Sequence, residues 1–277
     1  MRTHVPATLL HEIAEKRRAA VEAKKREKGP GLPSRPAAFG APKRGAFRAA
    51  VTRPSPTARL RFLCELKKAS PSKGLLRADF PVAELASAFA RGGASALSVL
   101  TEPAYFQGAP AYLTAARHAS GLPCLLKDFV IDPWQIDEAV SLGADAVLLI
   151  VALLPLDSLR SFLVHARARG LDVLVEAHTE TELEVAVAAG ADLVGLNNRD
   201  LTTFDVDPGV TTRLRRLVPR GVTVVAESGI ATAEDVVRLT REGVDAALMG
   251  EVFMREPDIE SSLARHVAAA EAAVRTL

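Results

Sequence analysis

Cysteine is scarce in this chain, which has only Cys64 and Cys124 among its 277 residues. Both lie in apolar runs, and neither belongs to a CxxC pattern or to a Cys/His spacing that suits zinc. The six histidines include no HxxxH pair. The sequence therefore predicts two buried, reduced thiols, no disulfide and no metal site.

Long apolar runs and nucleotide-binding glycine patterns are also lacking. The longest apolar run, residues 146–154, is far shorter than the ~20 residues that cross a bilayer, and the N-terminus has no apolar signal core. Neither GxGxxG nor GxxxxGK(S/T) occurs. We therefore expect a cytoplasmic protein that neither enters a membrane nor uses a nucleotide cofactor.

What the chain does have is a series of short apolar runs, most of which end in or beside a charged or amide side chain. A strand that is buried on both faces is continuously apolar, and the runs are of strand length. Eight of them are found, at residues 62–67, 96–101, 123–128, 146–151, 172–176, 193–199, 223–228 and 246–251.

An internal repeat supports the count of eight strands. Gly93, Gly143, Gly190 and Gly243 each follow a helix-like stretch and precede an apolar run, at steps of roughly 50 residues that each hold two strands. A doubly wound open sheet has the same alternation but gives no reason for eight near-equal units. We predict an α/β fold of the (βα)8 TIM-barrel class, with residues 1–277 as one domain and 1–60 as an N-terminal helical extension.

The polar residues at the run ends are the candidate functional groups, because active sites of such barrels lie at the C-terminal ends of the strands. Lysines that lie close together lower one another's pKa, close carboxylates raise theirs, and opposite partners restore the charged forms. The alternative is a structural ion-pair network inside the barrel. The residues concerned are Glu65, Lys67, Lys127, Glu176, Asn197, Arg199 and Glu227.

Charge is distributed unevenly, since residues 1–60 hold 14 Lys/Arg against 4 Glu while the remainder is acidic. Residues 7–28 have one loosely apolar face and predict an amphipathic helix that ends within 29–36, and residues 47–51 predict a second short helix. Three interpretations are open for this basic segment. It is a solvated helix packed on the barrel, a nucleic-acid arm, or a functional element over the anionic mouth; the absence of interleaved aromatic residues disfavours the second.

The motifs at the strand ends closely resemble those of the indole-3-glycerol phosphate synthase family. The resemblance runs essentially end to end, includes the helical extension before the barrel, and shows no departure at a catalytic position. Each motif alone is weakly specific, whereas seven in order on the correct strands are not. They are ELKKASPSKG at 65–74, FQG at 106–108, KDF at 127–129, VE at 175–176, NNRDL at 197–201, ESG at 227–229 and MGE at 249–251.

The resemblance implies a carboxy-lyase that closes the indole ring in tryptophan biosynthesis, without a metal or organic cofactor. The implied substrate is 1-(2-carboxyphenylamino)-1-deoxyribulose 5-phosphate, a small phosphorylated molecule. Lys127 is then the general acid and Lys67 holds the substrate carboxylate. Glu65, Glu176, Asn197 and Glu227 complete the implied catalytic set, and which carboxylate moves which proton stays open.

The implied binding residues follow the same strand ends. Barrels of this kind commonly bind phosphate through backbone N–H groups after strands seven and eight, here Ser228, Gly229, Gly250 and Glu251. We expect the Glu251 carboxylate to point away from the phosphate. Arg199 either contacts the ligand or braces Glu227. The remaining implied binding residues, Leu148 also being a candidate for the barrel core, are Ser70, Phe106, Phe129, Leu148 and Leu201.

Two other classes of function are weighed against this one. The isomerase that precedes this enzyme in the same pathway resembles the synthase in phosphate site and substrate, but it needs an acid/base pair of cysteine and aspartate at strand ends. Cys64 lies near such a position. With this function, however, Lys127 and Glu176 would be unexplained. A non-catalytic protein could use the basic N-terminal helix to bind a partner, which intact catalytic positions argue against. We expect no nucleic-acid partner, and association with other tryptophan-pathway enzymes is left open.

Overall fold

Eight parallel strands close into a barrel in the computed structural model, which describes residues 9–28, 32–200, 203 and 205–276. Each strand pairs with its neighbours in chain order, and the first pairs with the last. The predicted (βα)8 barrel is confirmed, and the open sheet is excluded. The strands are β1 (Arg61–Leu66), β2 (Ala96–Leu100), β3 (Cys124–Lys127), β4 (Ala146–Ile150), β5 (Asp172–Ala177), β6 (Leu193–Asn197), β7 (Thr223–Glu227) and β8 (Ala246–Met249).

Helices alternate with these strands, and those that follow β1 pack around the outside of the barrel. No helix in the described ranges is long and apolar enough to cross a membrane. A two-stranded hairpin, Ala69–Ser70 with Gly74–Leu75, follows β1. The helices are α1 (Leu9–Lys28), α2 (Ala46–Val51), α3 (Val82–Gly92), α4 (Pro103–Phe106), α5 (Pro110–Ser120), α6 (Pro133–Leu142), α7 (Leu156–Ala168), α8 (Glu180–Ala188), α9 (Gly209–Arg215), α10 (Ala233–Arg241), α11 (Glu251–Met254) and α12 (Ile259–Val274).

Most strands end one or two residues before the predicted run does. Lys67, Arg199 and Glu251 lie beyond the ends of β1, β6 and β8, because the chain leaves the hydrogen-bonded ladder as it turns into the loops at the rim. At the other end, the third run was predicted from Pro123, but β3 begins at Cys124. Only the boundaries change, since all eight runs form strands.

The repeated glycines end helices or the turns that follow them, as predicted. Gly93 (φ 102°), Gly143 (φ 95°), Gly190 (φ 91°) and Gly243 (φ 74°) all have left-handed backbone conformations. Residues with a Cβ rarely adopt this conformation, whereas glycine does so without steric cost. Each glycine therefore lets the chain turn sharply from a helix into the next strand.

The cysteines belong to the apolar layer between the strands and the surrounding helices. Cys64 and Cys124 are free thiols with no exposed surface, which confirms that they are buried. Burial raises the pKa of both thiols well above the ordinary value. Neither sulfur is therefore available as a thiolate nucleophile or as an acid/base group near neutral pH.

The second part of the N-terminal extension closes the N-terminal end of the barrel. Helix α2 begins one residue before the prediction, and Phe47 and Val51 are fully buried beneath the barrel interior. The backbone N–H groups of Gly45 and Arg48 donate to the carboxylate of Asp172 at the start of β5, over 2.7 and 2.9 Å. Two backbone donors thus satisfy the buried carboxylate and fix α2 in place.

Helix α1 lies at the opposite, C-terminal rim. The described part of the predicted helix 7–28 is Leu9–Lys28; residues 7, 8 and 29–31 lie outside the described residues. Its Arg17 donates to both carboxylate oxygens of Asp128 over 2.7 Å, and both side chains are almost fully buried. Lys24 and Lys25 pair with Glu138 and Asp132. The helix therefore packs on the barrel, and several of its charges are neutralised there; the single-domain boundary 1–277 stays a prediction.

Candidate active site

A cavity opens at the C-terminal ends of the strands, and it holds about 1000 Å³ of empty space when the open solvent at its mouth is included. Every predicted site residue that the structure describes lines it, while Leu201 lies outside the described residues. The roles of these residues stay predictions, but the chain does bring them together. They are Glu65, Lys67, Ser70, Phe106, Lys127, Phe129, Leu148, Glu176, Asn197, Arg199, Glu227, Ser228, Gly229, Gly250 and Glu251.

Lys127, the last residue of β3, is at the centre of the cavity's charged floor. Its Nζ lies 3.1 Å from Glu176 Oε2 on β5 and 2.7 Å from Glu227 Oε2 at the end of β7. Asn197, at the end of β6, donates from Nδ2 to Glu176 Oε1 over 3.0 Å, and its Oδ1 accepts the backbone N–H of Arg199. Four strand ends therefore hold one ammonium group, two carboxylates and one amide in contact.

The environment separates the pKa values of the two carboxyl groups. Burial opposes the charge on Glu176, but Lys127 and then His178 outweigh it and lower the pKa of Glu176 to about 2. Burial raises the pKa of Glu227 to about 7; Lys127 opposes this shift and the charge of Glu176 adds to it. One carboxyl group is thus ionised near neutral pH while its neighbour titrates there.

The ammonium group of Lys127 is protonated near neutral pH. Burial acts to lower the pKa of Lys127, but the carboxylates of Glu227, Glu176 and Glu65 overcome this and hold it above its ordinary value. This agrees with the expectation that opposite partners restore the charged forms, because the groups close to the ammonium of Lys127 are carboxylates. Lys127 is therefore held as a proton donor.

A second ion pair lies beside the first. Lys67 Nζ is 2.7 Å from Glu65 Oε2, and Ser98 Oγ on β2 donates to the other oxygen of Glu65 over 3.3 Å. Burial opposes the charge on Glu65, whereas Lys67 and Lys127 lower its pKa below the ordinary value. An added Cβ at Gly250 would stand 2.8 Å from Glu65 Cβ, so the β8 end needs glycine to pass this carboxylate.

One wall of the cavity is apolar. The rings of Phe106 and Phe129 are tilted by 40° with their centroids 6.1 Å apart, and Leu148 lies in the barrel's interior cluster while also facing the cavity. Leu148 therefore belongs to the barrel core and also lines the cavity, the two locations expected from the sequence. Ser70 Oγ, at the cavity edge, is buried and has no hydrogen-bond partner among the described residues. A planar apolar group with a nearby polar substituent suits this wall.

Backbone from the ends of β7 and β8 forms another side. Ser228 and Gly229 have positive φ angles of 64° and 68°, and an added Cβ at Gly229 would lie 2.4 Å from Val206 Cγ1. Gly229 is thus required by both conformation and space. Glu251 Oε1 accepts a hydrogen bond from Arg255 Nη2 over 3.3 Å. The Glu251 carboxylate therefore has a cationic partner outside the floor cluster, which is formed by Lys127, Glu176, Asn197 and Glu227.

Sequence reasoning did not single out Gly195, in the middle of β6. An added Cβ there would stand 1.9 Å from Glu227 Oε1, a distance at which the carboxyl group has to move. Glycine inside a strand marks a close approach by another group, which is the signal that would have identified it. Glu227 Oε1 itself is buried and has no hydrogen-bond partner among the described residues.

We expect Gly195→Ala to displace the Glu227 carboxyl group from Lys127 and to lower kcat by about 10²-fold, the cost of misplacing a site group by 1 Å. Steady-state kinetics and thermal unfolding, measured together, check this result. In a Glu227→Ala background the same substitution should cause no further loss. Equal losses of kcat in both backgrounds would show that Gly195 acts through the strand and not through Glu227.

A closed (βα)8 barrel whose mouth holds paired ammonium and carboxylate groups defines an acid/base enzyme of the barrel class. The model of the family "Indole-3-glycerol phosphate synthase" matches residues 10–266. This chain therefore belongs to the indole-3-glycerol phosphate synthase family, carboxy-lyases that form indole-3-glycerol phosphate in tryptophan biosynthesis.

Curated relatives agree with the family model. The chain is 55% identical over 196 residues to indole-3-glycerol phosphate synthase of Aromatoleum aromaticum, covering 71% of this chain and 75% of that one. It is 50% identical over 206 residues to the protein of the same name in Ruminiclostridium cellulolyticum, with 74% and 79% covered. For the Laribacter hongkongensis protein the identity is 47% over 219 residues, with 79% and 83% covered.

Solved structures that are similar to this one agree on the fold. Thiamine phosphate pyrophosphorylase from Pyrococcus furiosus matches with a TM-score of 0.57 at 19% identity, covering 77% of this chain and 96% of that one. A structure titled "Native KDPGal structure" matches with a TM-score of 0.55 at 18% identity, covering 78% and 95%. At such low identity these matches show only the barrel.

Proposed function

We propose that this protein converts 1-(2-carboxyphenylamino)-1-deoxyribulose 5-phosphate into indole-3-glycerol phosphate, carbon dioxide and water. The observation that carries the proposal is the contact of Lys127 with Glu176 and Glu227 at the floor of the cavity, in a chain of this family. These groups donate and accept protons without a metal or organic cofactor. We place the enzyme in the cytoplasm.

The cavity offers a complementary group for each part of this substrate. The aromatic ring packs against Phe106 and Phe129, with its carboxylate directed to Lys67. The ketone oxygen lies at Lys127. The phosphate then reaches the N–H groups of Ser228–Gly229 and Gly250–Glu251, at the ends of the strands where barrels of this class commonly bind phosphate.

Ring closure needs a proton at the ketone oxygen. The aromatic carbon that bears the carboxylate attacks the ketone carbon, a carbon–carbon bond forms, and Lys127 donates its proton to the oxygen, which becomes a hydroxyl group. The carbon–carboxylate bond then breaks, and its electron pair returns to the ring system as carbon dioxide leaves. Lys67, paired with Glu65, keeps the carboxylate in place until this step.

Loss of water completes the indole. Lys127 has already donated its proton, so the hydroxyl group takes a proton from the ammonium group of Lys67 and leaves as water, while a carboxylate accepts the proton that the intermediate releases from carbon. Glu176 is the acceptor that we propose, because its carboxylate is ionised and contacts Lys127. Glu65 is the alternative acceptor, since its pKa is lowered as well.

The competing functions fit the structure less well. Cys64, which the isomerase would need as an acid/base group in the mouth, is fully buried outside the barrel interior. A partner-binding or nucleic-acid role for the basic helix meets a similar difficulty, because Arg17, Lys24 and Lys25 already pair with barrel carboxylates. Neither alternative explains the buried floor cluster.

The experiment that tests the proposal is an indole-fluorescence assay of the purified protein with the carboxyphenylamino substrate. We expect fluorescence of the indole product to appear with or without a chelator. Activity that disappears with chelator and returns with a divalent ion would refute the cofactor-free chemistry. No product under any condition would refute the function itself.

A further inference from the structure

His178 lies close to the catalytic floor, and the chemistry described above does not use it. It follows β5, two residues after Glu176, and its side chain is 12% exposed. Its Nδ1 lies 3.2 Å from Glu182 Oε2 on α8, and the same oxygen accepts the backbone N–H of His178 over 2.7 Å. Its Nε2 is 3.6 Å from Glu176 Oε1 and, among the residues described, has no hydrogen-bond partner.

Carboxylates face both ring nitrogens of His178. A neutral imidazole has one nitrogen with a lone pair, which would point at a carboxylate oxygen on one side or the other. The doubly protonated ring avoids this repulsion. Burial acts to lower the pKa of His178, but Glu182, Glu176 and, on β7, Glu227 overcome it and raise the pKa above the ordinary value. The geometry and the charges both favour the imidazolium.

The position of this cation matters when substrate binds. In the structure Glu176 contacts Lys127 through Oε2 and Asn197 through Oε1. Once Lys127 turns its proton toward the ketone, Glu176 loses a close positive charge while it stays buried. A buried carboxylate without a cation takes up a proton, and a protonated Glu176 no longer accepts one. A second positive charge is therefore needed to keep the carboxyl group of Glu176 ionised.

We propose that His178, held by Glu182, is a positioning residue that keeps Glu176 ionised and oriented while Lys127 acts on the substrate. This inference rests on the proposed function for its kinetic consequence. The protonation state of His178 does not depend on that function and is measured separately.

Replacing His178 with Asn removes the cation and keeps a hydrogen-bonding side chain of similar reach. We expect the acidic limb of the kcat–pH profile, which reports the Glu176–Glu227 pair in the substrate complex, to move upward by about 1 pH unit. At pH values below the limb, kcat then falls about tenfold relative to the wild type, and KM changes less than kcat.

The matched control is His165→Asn. His165 on α7 also faces a carboxylate, Asp137 Oδ1 at 3.0 Å, but lies outside the cavity and is 32% exposed. The kcat–pH profile of His165→Asn should overlay that of the wild type. Thermal unfolding of both variants confirms that they are folded. A His178→Asn profile that is scaled down at every pH without a shift of the limb would overturn the proposal.

Imidazole nitrogen NMR of the wild-type protein and of Glu182→Gln supplies the second readout. We expect His178 to be doubly protonated near neutral pH in the wild type and to lose its proton at a lower pH in Glu182→Gln. A neutral His178 ring in the wild type overturns the inference, even if His178→Asn fails to fold. If the wild type forms no indole product, the proposed function fails, and this NMR result still decides whether His178 is a cation.

Discussion

Replacing Lys127 with Met is expected to lower kcat by about 10²–10⁴-fold, the usual cost of removing a general acid. Methionine keeps the length of the side chain and removes its proton. In the structure this ammonium group contacts both Glu176 and Glu227, and methionine supplies no positive charge and no proton at that point. Steady-state kinetics at several pH values measure the loss.

The control for this variant is Lys68→Met. Lys68 is adjacent in sequence to Lys67, which lines the cavity, but Lys68 does not line it. We expect kcat to change little, whereas Lys127→Met also lowers the melting temperature, because two buried carboxyl groups lose their shared partner. Equal losses of kcat in both variants, or a loss in Lys127→Met that follows unfolding, would assign the acid to another residue, Lys67 first.

The largest effect on stability is expected from Arg17→Met in helix α1. Its guanidinium makes two hydrogen bonds to Asp128, which is almost fully buried and directly follows Lys127. Removing one partner of a buried pair leaves an uncompensated charge and typically costs about 3–5 kcal/mol. Thr101 still donates a hydrogen bond to Asp128 over 2.7 Å. We therefore expect the free energy of unfolding to fall by about 3 kcal/mol, the lower end of that range. Urea unfolding measures it.

Arg18→Met is the matched control, one residue along the same helix. Arg18 is 59% exposed and lies 3.6 Å from Glu15 in a surface ion pair. Such pairs contribute little, and the free energy of unfolding should change by less than about 0.5 kcal/mol. A similar change in both variants would mean that α1 is held by its apolar face alone, through Leu10, Ile13 and Val21.

The sequence predicted the barrel and its mouth well because both depend on local patterns. Continuous apolar runs, glycines at sharp turns and polar groups at run ends are readable along the chain, and Lys127, Glu176 and Glu227 meet where parallel strands end together. The resemblance to the family added which of these groups belong to the site. Strand ends were misplaced by a residue or two, since the point at which a rim residue leaves the ladder depends on its loop.

What the sequence did not reveal depends on contacts between distant segments. Arg17 is one of several basic residues in α1, and only the docking of that helix distinguishes it by placing it on Asp128, 111 residues away. Gly195 matters because a side chain from the neighbouring strand occupies the space of its missing Cβ. The two carboxylates that face the ring of His178, from Glu176 and Glu182, become visible only in three dimensions.

The most direct test of the central claim is the stoichiometry of the reaction. The substrate, labelled in its carboxyl carbon, is incubated with the purified wild-type protein and a chelator, and carbon dioxide and indole-3-glycerol phosphate are measured in the same sample. The account predicts one molecule of carbon dioxide for each molecule of indole product, at a rate that the chelator does not change. Indole product without labelled carbon dioxide, or neither of the two, would contradict it.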